Sequence, residues 1–91
     1  MKRVCLDMSA TLIHHGHIRL INNAKNKYPN CKLIIALTSD IEIQKYKGYK
    51  PELNFENRKE IIGSIKGVDE LISSPWEINQ KFIDDNSIDL L

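Results

Sequence analysis

The sequence predicts an α/β domain built on a parallel sheet, and three observations predict it. Val4-Cys5-Leu6 and Lys32-Leu33-Ile34-Ile35-Ala36-Leu37 are apolar runs without alternation, the pattern of strands covered on both faces. Between them Ile18, Ile21, Ala24 or Lys25, and Tyr28 recur at helical spacing until Pro29-Asn30 stops the run. A strand, a helix of this length and a second strand make a right-handed βαβ unit with the strands parallel.

The first strand leads through a loop from Asp7 to Ile13 into His14-His15-Gly16-His17, where the first helix starts. After the second strand, Thr38 to Asn54 is polar and lysine-rich, the composition of a long functional loop or a short helix. Asn57 to Ile65 carries a second helical face, with Ile61, Ile62 and Ile65 inward and Gly67 as terminator. Val68 to Ile72 reads as a third strand. Ser74-Pro75-Trp76-Glu77 then has the form of a helix start, with Ser74 as N-cap, Pro75 at the first position and Glu77 closing a capping box. That helix runs to about Asp85, turning Phe82 and Ile83 inward. Ile88 to Leu91 begins a fourth strand and stops inside an apolar run, so the C-terminal part of the fold is expected to be missing or completed by another copy.

With 91 residues the chain has room for one domain, 1–91. Its net charge of +1 gives no general attraction to nucleic acid or to an anionic membrane, so any anion must be held by a local site. No apolar stretch approaches membrane-spanning length, and the first residues lack the form of a signal peptide. Cys5 and Cys31 sit inside apolar runs without metal-type spacing and read as buried thiols of a cytoplasmic protein.

The chemistry concentrates in His14-His15-Gly16-His17. A helix N-terminus offers unpaired N–H groups and partial positive charge, which attract phosphate. His14 and His17, three apart, straddle the loop-to-helix junction and can point into one site, each offering a ring N–H to phosphate oxygens. Gly16 removes a side chain where a nucleotide would lie against the backbone. His15 faces elsewhere. An H-x-x-H pair also suits zinc, but no third ligand is in view, since both cysteines lie in strands. The position after a first strand of an α/β chain favours a bound ligand.

The run Met8-Ser9-Ala10-Thr11-Leu12-Ile13-His14-His15-Gly16-His17-Ile18 resembles the H-x-G-H signature of the cytidylyltransferase family, which includes enzymes acting on glycerol, choline and ethanolamine phosphates. The resemblance continues through Ala36 to Asp40, Lys45 and Lys47, the segment Phe55-Glu56-Asn57-Arg58-Lys59, and Lys66 to Ile72. It covers nearly the whole chain in order; H-x-G-H alone also fits adenylyltransferases and class I tRNA synthetases. It implies a Rossmann-like nucleotidyltransferase fold and transfer of CMP from CTP to a small phosphate- or phosphonate-bearing acceptor, with pyrophosphate released and Mg2+ accompanying CTP. His14, His17, Lys47 and Arg58 would be catalytic, Arg58 orienting the triphosphate; Lys45 is a second candidate for the phosphate-facing lysine. Met8, Ser9, Ala10 and Thr11 would bind nucleotide, together with His14, Gly16, His17 and Thr38. No resident metal site is implied, and relatives pair as homodimers around the first helix and the following loop.

From the residues alone, Lys45, Lys47 and Lys50 also fit a solvated loop, and Arg58 also fits an ion pair with Glu56 or Glu60. Two departures from the family pattern stand out. Thr11 occupies a position where relatives carry an acidic residue, which Asp7 could offset unless it serves a turn. The family also continues past the fourth strand with segments that contact base and triphosphate. A non-catalytic domain that binds nucleotide or assembles oligomers, and an adenylyltransferase using ATP, are the alternatives.

Overall fold

The computed structural model describes residues 1–91. In chain order it contains β1 (Arg3–Met8), α1 (His15–Lys27), β2 (Lys32–Thr38), α2 (Asp40–Lys47), α3 (Phe55–Gly63), β3 (Glu70–Ser74) and α4 (Gln80–Asp85). The strands form one parallel sheet in the order β1-β2-β3, with Cys5 opposite Ile34 and Ile34 opposite Glu70. A single parallel bridge, Val4 to Leu90, adds the end of the chain on the far side of β1. The strand order therefore reverses at β1. In open α/β sheets the crevice at such a reversal, beyond the carboxyl ends of the strands, is where ligands bind.

β2 explains why the sheet is covered on both faces. Leu33, Ile35 and Leu37 point to one side and pack with Val4, Met8, Ile21 and Ile62, under α1 and α3. Ile34 and Ala36 point to the other and pack with Cys5 and Ile88, against Phe82 and Ile83 of α4. Cys5 and Cys31 belong to opposite faces, both buried and both free thiols. Burial, and then the charge of Asp7, push the Cys5 thiol up to about 11, so it stays protonated and is no nucleophile at neutral pH. No helix is long and apolar enough to cross a membrane.

Several boundaries differ from the sequence reading, each for a tertiary reason. β1 extends through Met8 because pairing with β2 continues to Leu37, so Asp7 is a strand residue with an exposed side chain and serves no turn. The polar stretch after β2 contains the eight-residue helix α2, capped by Ser39, whose hydroxyl accepts from Glu42 N–H, and closed by Gly48 in the left-handed region. The buried residues of α3 are Arg58 and Ile62; Ile61 is 43% exposed, and Ile65 lies beyond the helix end. Gly67 does not terminate α3, which ends at Gly63; it supplies a positive φ of 103° in the turn before β3. Ser74 caps no helix. It is the buried last residue of β3, opposite Thr38, and its hydroxyl donates to Pro75 O. α4 starts later, where the Asn79 side chain accepts from Phe82 N–H.

Candidate functional site

At the carboxyl ends of the strands, Asp7, Met8, Ser9, Thr38 and Trp76 line a recess of about 180 Å3. A larger hollow of about 330 Å3 opens at the opposite end, between Met1, Lys2 and Lys27 to Cys31, away from the strand reversal.

The loop Met8 to Thr11 is held from several directions. Thr38 Oγ1 donates to Met8 O at 3.3 Å, Leu53 N–H donates to Thr11 O at 3.3 Å, and Arg58 Nη1 donates to Ser9 O at 2.6 Å. Ala10, buried in the core, adopts φ 47°, a conformation that costs a non-glycine residue about 1–2 kcal/mol. The surrounding ties hold that strain in the loop that delivers the chain to His14.

Arg58 is the centre of those ties. Its side chain is fully buried, and it donates to Leu53 O (3.0 Å), Ser9 O (2.6 Å), Thr38 O (2.8 Å) and Asp40 Oδ1 (2.6 Å). Asp40 Oδ2 accepts from Phe55 N–H, so one ion pair joins the ends of β1 and β2 to the starts of α2 and α3. The ion-pair reading of Arg58 holds with a different partner: Asp40 rather than Glu56 or Glu60. With its guanidinium enclosed this way, Arg58 sits behind the recess and does not reach its surface, so its geometry suits positioning rather than contact with a triphosphate.

His14 and His17 begin α1. His14 is the N-cap, in extended conformation, and its Nδ1 accepts from Gly16 N–H at 3.0 Å. His14 N–H donates to Nδ1 of His17 at 3.2 Å. The two rings lie 4.3 Å apart between centroids. Within the chain itself Gly16 has a further reason to lack a side chain: a Cβ there would meet His14 Cε1 at 2.7 Å. Its missing side chain makes room for the cap. The helix-start amides expected to face phosphate are in part occupied, Gly16 N–H by the His14 ring and His17 N–H by His14 O at 3.0 Å. Burial, and then neighbouring His14, lower the pKa of His17, which favours its neutral form. His15 is exposed, its ring edge-on to His14 at 5.8 Å.

Neither candidate lysine lines the recess, but Lys47 approaches Trp76, which does. Lys47 ends α2, and its Nζ lies 5.7 Å from the Trp76 ring centre, whereas Lys45 lies 5.2 Å from the ring of adjacent Tyr46. Tyr46 and Trp76 stack at 5.4 Å with 15° between their planes, and Trp76 N–H donates to Glu42 Oε1. Trp76 was missed as a site residue by sequence reasoning. The available signal was its place directly after a strand end, on the edge where α/β ligands gather. No group of three or more His, Cys, Asp and Glu side chains could hold a metal ion.

A family model for cytidylyltransferase-like proteins matches residues 10–91. Choline-phosphate cytidylyltransferase 2 of Arabidopsis thaliana is 36% identical over 88 residues, 96% of this chain and 29% of its own length. Glycerol-3-phosphate cytidylyltransferase of Bacillus subtilis is 36% identical over 92 residues, 99% of this chain and 68% of its own length. The chain thus spans between about a third and two thirds of these two relatives. A lipopolysaccharide core biosynthesis protein of Thermoplasma volcanium shares the fold, with a TM-score of 0.81 at 22% identity over 99% of this chain and 72% of that one. His14 and His17 do not line the recess but start the helix that follows β1, the strand at which the order reverses. With the family match spanning all but the first nine residues, the chain belongs to the cytidylyltransferase-like family.

Proposed function

We propose that this domain binds CTP and transfers CMP to a small phosphate- or phosphonate-bearing acceptor, releasing pyrophosphate. The observation that carries the reading is the pair His14 and His17 at the reversal point of the sheet, each with Nδ1 engaged and Nε2 without a partner in the chain. Their Nε2–H groups are donors for phosphate oxygens that gain charge as pyrophosphate departs. Lys47, with Nζ 5.7 Å from the Trp76 ring centre, adds a positive charge beside a residue that lines the recess.

The reaction is an in-line displacement. An acceptor phosphate oxygen attacks the α-phosphorus, the bond from that phosphorus to the bridging oxygen breaks, and pyrophosphate takes the electron pair. A phosphate acceptor is already an anionic nucleophile near neutral pH, so the domain needs to supply position and charge stabilisation and no general base. Magnesium arrives with the triphosphate. Asp7 is the one carboxylate lining the recess, which suits an ion that takes one or two protein carboxylates and the rest of its oxygens from phosphate and water. Met8, Ser9 and Thr38 line the same recess, while Ala10, Thr11 and Gly16 act through backbone shape. Arg58 is a positioning residue in this scheme.

Exposed Leu12, Ile18 and Leu20, before and along the first turns of α1, give an apolar surface for a homodimer of a cytoplasmic enzyme. One observation favours a second reading, a non-catalytic nucleotide-binding domain: Thr11 brings no carboxylate to the loop before His14.

Pyrophosphate release with CTP and with ATP, each offered with glycerol 3-phosphate, choline phosphate and a small phosphonate, tests the proposal. Release with CTP and one acceptor is expected. Release with ATP alone would make the domain an adenylyltransferase. Binding of CTP without release from any acceptor would favour the non-catalytic reading.

A further inference from the structure

An N-cap is ordinarily a Ser, Thr, Asp or Asn, whose single oxygen accepts from the helix and has then finished its work. Here a ring does the capping, and the same ring has a second nitrogen. His14 Nδ1 accepts from Gly16 N–H at 3.0 Å, and His17 Nδ1 accepts from His14 N–H at 3.2 Å. A nitrogen that accepts an amide hydrogen carries no proton, so in each neutral ring the proton must reside on Nε2. Neither Nε2 has a hydrogen-bond partner in the chain, while both Nδ1 atoms do.

We infer that His14 and His17 form a reciprocal tautomer lock, in which the cap fixes both rings as Nε2–H donors for phosphate oxygens. The role of phosphate as the ligand rests on the nucleotide reading above; the lock is a property of the free chain. Three features of the sequence follow from it. Spacing of three is the capping-box spacing, which lets the first residue cap the helix while the third receives the first residue's own amide. Gly16 is required because the capping ring occupies the space of its Cβ, 2.7 Å from His14 Cε1. His15, with no such partner, is free to hold either tautomer. The donors are set before a ligand arrives, so binding costs no tautomer exchange, and their direction is set by the helix rather than by a flexible side chain.

The lock also changes what the helix N-terminus does. Gly16 N–H, one of the amides that could have met phosphate directly, is spent on His14. The ring passes the interaction outward, offering Nε2–H in place of the amide.

Long-range nitrogen–proton NMR on the histidine-labelled 91-residue chain at pH 8, without nucleotide, reads the tautomers directly. His14 and His17 are expected in the Nε2–H form with an unprotonated Nδ1, against His15 as an internal control averaging both forms. An Nδ1–H form, or averaging like that of His15, in either ring overturns the lock. Two variants separate its parts. His14→Asn keeps an acceptor near the Nδ1 position: His17 should stay locked while CTP affinity falls about tenfold, the loss of one donor to an anion. His14→Gln keeps a donor near the Nε2 position and loses the cap, so His17 should begin to average; a His17 that stays locked overturns the reciprocity. Locked rings in a chain that does not bind CTP would leave the lock standing and remove the nucleotide reading instead.

Discussion

The two ends of the sheet carry charge in opposite ways. At the amino end of the strands, Arg3, Lys25 and Lys32 each have a carboxylate partner. Arg3 and Lys32 share Glu70, Lys25 pairs with Asp69, and Arg3 N–H donates to Asp89. At the carboxyl end the one ion pair, Arg58 with Asp40, is turned inward against backbone carbonyls. The groups in front of it, Asp7, Lys47, His14 and His17, form no ion pair. Both ends need to hold their strands, but only the carboxyl end turns its ion pair inward behind a recess at the strand ends. Ion pairs along the rim of a sheet are structure; a braced back behind an open recess is a site.

The largest effect should come from the brace. Arg58→Met keeps bulk but leaves Asp40 unpaired and the carbonyls of Ser9, Thr38 and Leu53 without their donor. Asp40 is 41% exposed and can rehydrate, so the loss falls mainly on the carbonyls, about 1–3 kcal/mol for each buried group left unsatisfied, which urea unfolding will read as a fall in midpoint at constant slope. A loss below about 1 kcal/mol, the range of an exposed pair, would show that the two ends are braced alike and break the contrast. Asp40→Asn keeps an acceptor for only one of Arg58 and Phe55 N–H, yet it leaves the three carbonyl bonds of Arg58 in place and should cost less.

Next in size is the front of the site. Lys47→Ala removes the cation over Trp76, and a charge-assisted contact to phosphate contributes about 1.5–3 kcal/mol. Affinity for CTP should fall by about tenfold or more in calorimetry, with the unfolding midpoint almost unchanged because Lys47 is exposed. Lys45→Ala, which removes the lysine beside Tyr46, should leave CTP affinity nearly intact. Equal losses from both would mean that the lysines act only through long-range charge.

Much of this division was legible beforehand, and the failures have a physical pattern. β2 and the histidine motif declared themselves because they rest on local facts: a continuous apolar run, and a His-x-Gly-His string at a helix start. In α3 the inward reading holds for Ile62 and for Ile65, which packs on the core just past the helix end, but fails at Ile61, because buried Arg58 occupies a position that periodicity assigns to an apolar residue. Ser74-Pro75-Trp76-Glu77 has sound capping chemistry, yet Ser74 pairs with Thr38 across the sheet and Trp76 N–H is taken by Glu42. Both outcomes depend on partners more than 30 residues away, which no local pattern contains. Trp76 joined the site for the same reason.

Acid should separate the two ends by pH window. His17 has a folded pKa below its ordinary value near 6.5, because burial and then His14 disfavour the charged ring. The unfolded chain therefore binds more protons there, so stability is whole above about 6.5 and declines as pH falls through that value toward the folded one. Asp69 has a folded pKa below its ordinary 3.8, through its hydrogen bonds from Lys25 and then Leu33 N–H. Its contribution is whole above 3.8 and is lost as pH falls through the folded value. Unfolding midpoints at pH 8, 5.5 and 3 should thus show two steps, the first removed by His17→Asn and the second by Asp69→Asn. A single step near pH 4 would mean that the histidine pair does not sense the folded environment.

The smallest expected effect completes the contrast from the amino end. Lys32 shares Glu70 with Arg3 at 3.5 Å, and its side chain is 43% exposed. Exposed pairs contribute about 0–1 kcal/mol, and Glu70 keeps Arg3 at 3.2 Å when Lys32 is lost. Lys32→Met should therefore shift stability by less than about 0.5 kcal/mol, and that small loss should shrink further in 1 M salt as screening removes what remains. Arg58→Met should keep most of its loss in high salt, because three of the four bonds of the buried guanidinium go to uncharged carbonyls and only the one to Asp40, 41% exposed, is an ion pair. Matched salt dependence in the two variants would place both pairs in the same dielectric environment. Opposed behaviour would assign the Arg58 guanidinium and its carbonyl bonds to the interior, where the side chain is fully buried.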